Sequence, residues 1–204
     1  MSDLPQLLLI AGVLLLSVAS PGPNFALVTS TSMGISRRAG ILTGLGFSLA
    51  SGTWALLAIG GVNFLMSHAP AVHTAIRLAG GAYLLWLGLK MIATARQPIR
   101  NESARQSSGA SSLGKAFVVS MTNPKSIGFY GSIFSVMVPS AAPLWFDAAV
   151  VLLALSISAL WYCSLALLFS HRLARSVYGK LKVFVETAMG IFLVGMSGRV
   201  LFGR

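Results

Sequence analysis

The chain has 204 residues, of which 55% are hydrophobic and 9% charged, where a soluble domain usually carries about 25% charged residues. So few polar side chains cannot cover the surface of a folded chain in water; the covering solvent is lipid, and the mean hydropathy of +0.81 agrees. A formal charge of +11 would suit nucleic acid only on a water-exposed basic face; here the basic residues sit between apolar runs, so no nucleic-acid partner is expected.

A bilayer core of about 30 Å needs roughly 20 apolar helical residues, and the chain supplies six such runs. The first spans about Leu4 to Met33. The uncharged stretch Ala39 to Ile76 holds a second span and leads into a third, with a turn expected at Asn63 to Val72 around His68 and Pro70. The third span continues from about His73 to Ala95. Residues 96–112 (RQPIRNESARQSSGASS) are polar and of low complexity, which reads as a flexible loop. Spans four to six follow at about Leu113 to Val138, Leu144 to Phe169 and Val183 to Phe202. The apolar N-terminus does not read as a cleaved signal peptide, because Asp3 stands where a basic residue is usual and Pro21 follows the would-be cleavage site.

Basic residues set an expected orientation. The loop between spans one and two has Arg37 and Arg38, that between three and four has Arg96, Arg100, Arg105 and Lys115, and that between five and six has Arg172, Arg175, Lys180 and Lys182. The other two connections have none. The positive-inside rule places the basic loops in the cytoplasm and both termini in the periplasm, with Arg199 and Arg204 as a minor dissent.

Two spans carry residues that a continuous membrane helix resists: Ser20-Pro21-Gly22-Pro23-Asn24 in the first, and Thr122-Asn123-Pro124-Lys125-Ser126 in the fourth. Each proline removes a backbone donor and clashes with the preceding turn. Freed backbone groups in hydrocarbon are costly, so such breaks survive where they are buried in protein or line a wet cavity. Pro21 and Pro124 stand 103 positions apart (124 less 21) in a chain of 204, each in the first span of a three-span half. An odd span count per half makes the second half enter from the opposite side. The expected fold is therefore all-α and integral to the membrane, with six transmembrane helices forming two inverted three-helix repeats, the first and fourth helices broken at proline. It is one transmembrane domain over 1–204, with repeat one at about 1–95, the loop at 96–112 and repeat two at 113–204. Paired breaks near the midplane offer amide donors to an anion and unwound carbonyls to a cation. An α-amino acid carries both groups.

The runs SPGPNFALVTSTSMGISRRAGILTGLG (Ser20 to Gly46), AGGAYLLWLGLKM (Ala79 to Met91) and FVVSMTNPKSIGFY (Phe117 to Tyr130) resemble the LysE/RhtB family of amino-acid exporters, the lysine-exporter and homoserine/threonine-resistance type. The resemblance covers essentially the whole chain. It implies multi-pass residence in a bacterial inner membrane and efflux of amino acids or close derivatives driven by the proton-motive force, and it leaves the particular amino acid open.

The candidate substrate-binding residues are Ser20, Pro21, Gly22, Pro23, Asn24, Asn123, Pro124 and Lys125. Lys125 lies about ten residues from either end of its span, where a lysine costs about 2.5 to 3.5 kcal/mol on insertion scales. It suits either a substrate carboxylate or the freed carbonyls of its own break. Asp147 and Glu186 each lie about one turn into a span, so no carboxylate stands at the midplane and a zwitterion is favoured over a bare cation. Glu186 also has Lys182 at i−4 as a partner on its own helix. Gly40, Gly44, Ser48 and Gly52 recur every four residues in span two, a close-packing stripe. Arg77 and Lys90 are expected to snorkel, and Tyr83, Trp86, Trp145 and Trp161 to serve as belt or packing residues. His68 and His73 belong to the expected external turn and make no metal site.

No cofactor is implied. Cys163 is the only cysteine, and no HExxH motif or buried carboxylate pair is present, so a membrane enzyme or redox carrier lacks its parts. An accessory subunit would not need polar breaks at mid-span. The remaining alternative is efflux of another small metabolite or a drug by the same fold, and a homo-oligomer is compatible with the pattern.

Overall fold

A computed structural model of the chain describes residues 3–19, 22–68, 70–96, 109–138 and 142–169 together with 183, 184, 187, 188, 190–195, 197, 198 and 201. Its bounded elements are all α-helices: α1 (Asp3–Ala19), α2 (Pro23–Gly34), α3 (Arg37–His68), α4 (Pro70–Thr94), α5 (Gly109–Met121), α6 (Pro124–Met137) and α7 (Leu144–Leu168). The described residues between 183 and 201 are helical as well. Arg37–Gly61 of α3 and the whole of α7 are long and apolar enough to cross a membrane, and α1 with α2 makes a third span if the pair is one broken crossing.

Helix ends follow from local chemistry. Gly22 takes an extended N-cap conformation (φ −172°, ψ −165°) and Pro23 opens α2, the first-turn position where a missing N–H costs nothing. The two helices meet at 59° across this break. Ser36 caps α3 by accepting from the Ala39 N–H at 3.1 Å. Helix α5 tightens at its end, where the Asn123 N–H donates to the Ser120 carbonyl at 3.3 Å. Asn123 then caps α6, its Oδ1 accepting from the Lys125 N–H at 3.0 Å, with Pro124 as the first helical residue.

Two expected boundaries shift. The turn expected at Asn63 to Val72 is absent as drawn: α3 runs to His68, and Pro70 is the first residue of α4. Asn63, Ser67 and His68 tolerate a helix, and the one strong breaker there, Pro70, is well placed at a helix start. The loop of residues 96–112 gives up its last residues to α5, which begins at Gly109, and Ser112 is buried. The fourth span is two helices meeting at Asn123, as the first is two meeting at Gly22. Helix α7 matches its expected range to within a residue.

Helices α3 and α7 lie antiparallel. A Cβ on Gly44 would stand 3.1 Å from backbone atoms of Tyr162 and Cys163, and one on Gly52 would stand 2.6 Å from Leu155. Between them the Ser48 hydroxyl donates to the Leu155 carbonyl at 2.7 Å. The small-residue stripe of span two is thus a packing seam, as its spacing predicts.

Two apolar clusters fill the interior at different heights along this pair. One holds Ile10, Val13 and Leu14 of α1, Ala55 and Ile59 of α3, Phe129 and Tyr130 of α6, and Phe146, Val150 and Ala154 of α7. The other holds Val18, Phe25, Val28, Phe47, Ala116, Tyr162, Leu165 and Phe169. Ser51 of α3 and Ser158 of α7 lie between them in sequence, so a polar layer separates two apolar plugs. Outward, Leu8, Leu56, Leu144, Leu152 and Leu160 are exposed, as a surface solvated by lipid requires.

Candidate functional site

The two breaks meet. Asn24, in the first turn of α2, donates through Nδ2 to the Ser120 hydroxyl at 3.2 Å, and its Oδ1 accepts from Asn123 Nδ2 at 3.2 Å. The amide of Asn123 therefore both caps α6 and joins it to α2. Lys125 completes the junction: its ammonium donates to the Ser17 carbonyl at 3.2 Å and passes close to Gly22, where an added Cβ would be 4.0 Å from Nζ.

The acceptors at these joints are set by the prolines. In a continuous helix the Ser17 carbonyl would accept from residue 21 and the Ser120 carbonyl from residue 124. Both are proline and have no N–H. Ser17 takes the Lys125 ammonium instead. Ser120 takes the Asn123 N–H and, at 3.4 Å, the indole N–H of Trp54. Each break is thus mended by a group from elsewhere in the fold, which is how irregular backbone persists at membrane depth.

Around this junction lies a small cavity lined by Ser17, Val18, Gly22, Asn24, Ser51, Ser120, Asn123, Lys125, Ser126, Tyr130 and Tyr162. The space is about that of a water molecule, so admitting an amino acid requires its walls to part. Tyr162 and Asn24 line it together, as do Tyr130 and Ser51. Ser51 and Ser158 share a 2.6 Å hydrogen bond. Trp54 stacks on Tyr130 with ring centroids 6.4 Å apart and planes at 14°. Among the described residues the lining has one formal charge, on Lys125, and no carboxylate.

Of the residues singled out from sequence, Gly22, Asn24, Asn123 and Lys125 are brought to this cavity. Pro23 is exposed and lies off it; its part is to start α2. Pro124 starts α6. Ser20 and Pro21 lie outside the described residues, as do Glu186 and Lys182 and the side chains of Arg77, His68 and His73. Lys125 reaches the Ser17 carbonyl of the first break. Ser126, part of the second break, lines the cavity too, whereas Ser17, Ser51, Ser120, Trp54, Tyr130 and Tyr162 escape the sequence reading. The one signal for them is that Ser17 and Ser120 each stand four residues before a proline. Trp86 and Trp145 are exposed, and Lys90 lies over the Trp86 ring at 4.6 Å.

Helices broken in pairs around a buried polar cavity, inside an apolar shell, define a membrane transporter. The chain belongs to the LysE type translocator family, whose model matches residues 15–204. It is 28% identical over 205 residues to the threonine efflux protein of Salmonella typhi, covering 96% of this chain and 97% of that one. The threonine efflux protein of Escherichia coli K12 is likewise 28% identical, over 97% of this chain and 98% of its own. The leucine efflux protein of Klebsiella pneumoniae is 30% identical over 188 residues, 88% of this chain and 87% of the relative. No solved structure matches the chain.

Proposed function

We propose that this protein exports amino acids from the cytoplasm across a bacterial inner membrane. The observation that carries the reading is the junction itself: one ammonium, Lys125, beside freed carbonyls and amide side chains, with no carboxylate among the described residues of the cavity lining. Such a set matches the α-carboxylate and α-ammonium common to all amino acids. Relatives named for threonine and for leucine efflux support the same reading, since those two substrates share only that part. Lys125 holds the carboxylate, and the residues of both breaks, Ser20 to Asn24 and Asn123 to Lys125, frame the site.

The architecture that goes with this function is six spans in two inverted three-helix halves, with both termini periplasmic and export coupled to protons. Support for the inversion comes from the antiparallel seam of α3 with α7, the second spans of their halves, and from the meeting of the two breaks. Alternating access follows from opening one apolar plug while the other stays packed. With the expected orientation, the plug around Phe47 and Phe169 faces the cytoplasm and that around Ile59 and Phe146 the periplasm.

The direct experiment is export of a panel of amino acids from cells overexpressing the protein, with and without a collapsed proton gradient. Efflux of one or more amino acids, lost on collapse, is the expected result. Efflux of drugs or other metabolites with none of amino acids would favour the alternative cargo. Reporter fusions at Ser107 and Ala141 test the orientation: Ser107 should report cytoplasmic and Ala141 external.

A further inference from the structure

We infer that the Ser17 carbonyl is the subsite for the substrate's α-ammonium, that Lys125 occupies it when no substrate is bound, and that only a zwitterion can take Lys125's place. The inference rests on the exporter reading above and deepens it.

Ser17 stands in the last turn of α1, the partially negative end of that helix. Its carbonyl is denied an α-helical donor by Pro21 and points an acceptor toward the cavity it lines. A primary ammonium sits on that acceptor at 3.2 Å. The Lys125 head group is chemically the same as the α-ammonium of an amino acid, so the structure contains the recognition contact with an internal group in the substrate's position. Beside it, α2 begins at Gly22 with no side chain capping its N-terminus, and the Lys125 chain runs past that glycine. The positive end of α2 and the displaced ammonium of Lys125 thus converge on one place for a carboxylate.

Exchange is then a matter of partners. A zwitterion brings an ammonium for Ser17 and a carboxylate for Lys125, so every charge and lone pair that was satisfied before remains satisfied after. An amine without a carboxylate takes Ser17 and displaces the Lys125 ammonium while bringing no anion to receive it. A carboxylate without an amine takes Lys125 and strands the Ser17 carbonyl. Stranding a buried polar group is costly; hence both half-ligands are rejected. Because Ser17 belongs to the first break and Lys125 to the second, the same exchange replaces a direct bond between the breaks by a bridge through the substrate. The walls of a water-sized cavity part by the width of an amino acid.

The test uses the purified full-length protein carrying Cys163→Ala, with spin labels on cysteines replacing the exposed Leu15 of α1 and Ile127 of α6. The α1 to α6 label distance is read with the exported amino acid, its decarboxylated amine and its N-acetyl derivative, and binding of each is measured. The amino acid should lengthen the distance, while each half-ligand should leave it unchanged and bind about tenfold or more weakly. A second variant, Pro21→Ala, restores an N–H at the position that can serve Ser17. It should weaken binding of the amino acid while binding of the N-acetyl derivative stays the same or improves. An N-acetyl derivative that binds or opens the parent as well as the amino acid does would overturn the assignment, and so would equal losses for both ligands in Pro21→Ala. Export by the parent protein is scored separately. An amino acid that is exported yet leaves the label distance unchanged overturns the exchange and leaves the exporter standing.

Discussion

The ammonium of Lys125 in one broken helix pair is hydrogen-bonded at 3.2 Å to the carbonyl of Ser17 in the other, the carbonyl that Pro21 leaves without an α-helical donor. A proline in one half of the chain therefore creates the acceptor that a lysine in the other half fills. The cost of a lysine at membrane depth and that of a freed carbonyl are met by the same contact.

Lys125→Met should remain inserted, because an apolar side chain of similar length replaces a charge in an apolar span, yet should lose export nearly completely. Lys125→Arg should keep partial export, since a planar fork differs in reach and geometry from a point charge. Export per inserted molecule, scored by transport against immunoblot, is the measure. The Met variant also deprives Ser17 of its donor, so some fall in abundance is expected alongside; normal export by the surviving molecules would remove Lys125 from the binding site.

Asn123→Asp separates the two uses of that amide. The carboxylate still accepts from the Lys125 N–H and so keeps the α6 cap, but it has no hydrogen to give Asn24 Oδ1, which now accepts from Nδ2. It also sets a negative charge beside Lys125, in competition with a substrate carboxylate. Export should fall about tenfold or more, and stability by about 1 to 3 kcal/mol, because Asn24 Oδ1 is left facing an acceptor. Asn123→Ala should lose stability as well, by about 1 kcal/mol for the cap alone.

How far these parts are legible in sequence depends on how local their causes are. The breaks at Pro21 and Pro124 can be read directly, because a missing N–H acts on its own chain segment, and α7 can be read from its unbroken apolar run. Helix α5 reaches back to Gly109 through a Gly/Ser-rich stretch that composition marks as loop; burial of Ser112 against the rest of the fold is invisible along the chain. Tyr130 and Tyr162 look like any aromatic in a membrane helix until the fold turns them toward Ser51 and Asn24. Lys125 is legible as a candidate but not in its partner, since nothing local says that its reach ends on α1.

The α3 to α7 seam supplies a test of packing with an internal control. At Gly44 an added methyl would stand 3.1 Å from backbone atoms of Tyr162 and Cys163, which cannot rotate away. At Gly12 nothing lies within 4 Å of the same added atom. Gly44→Ala should destabilise by about 1 to 3 kcal/mol, seen as a lower unfolding temperature in detergent, while Gly12→Ala should be neutral or slightly stabilising, alanine being the better helix former. Equal effects at the two positions would contradict the close approach.

The polar layer between the two apolar plugs rests on Ser51 and Ser158, whose hydroxyls lie 2.6 Å apart, buried, on the antiparallel pair α3 and α7. Removing one hydroxyl leaves the other without this partner in an apolar span. Ser158→Ala should therefore destabilise by about 1 to 3 kcal/mol, although it deletes only an oxygen from a side chain that does not line the cavity. Ser51→Ala should cost as much and also lower export, because Ser51 lines the cavity beside Tyr130. The double variant should cost less stability than the two single losses together, since neither serine is then left without the other, but should recover none of the export. A double-mutant cycle on unfolding in detergent measures the coupling, and transport measures the rest. Additive stability losses would show that the pair contributes no joint hydrogen bond, and recovery of export in the double variant would show that Ser51 acts only as structure.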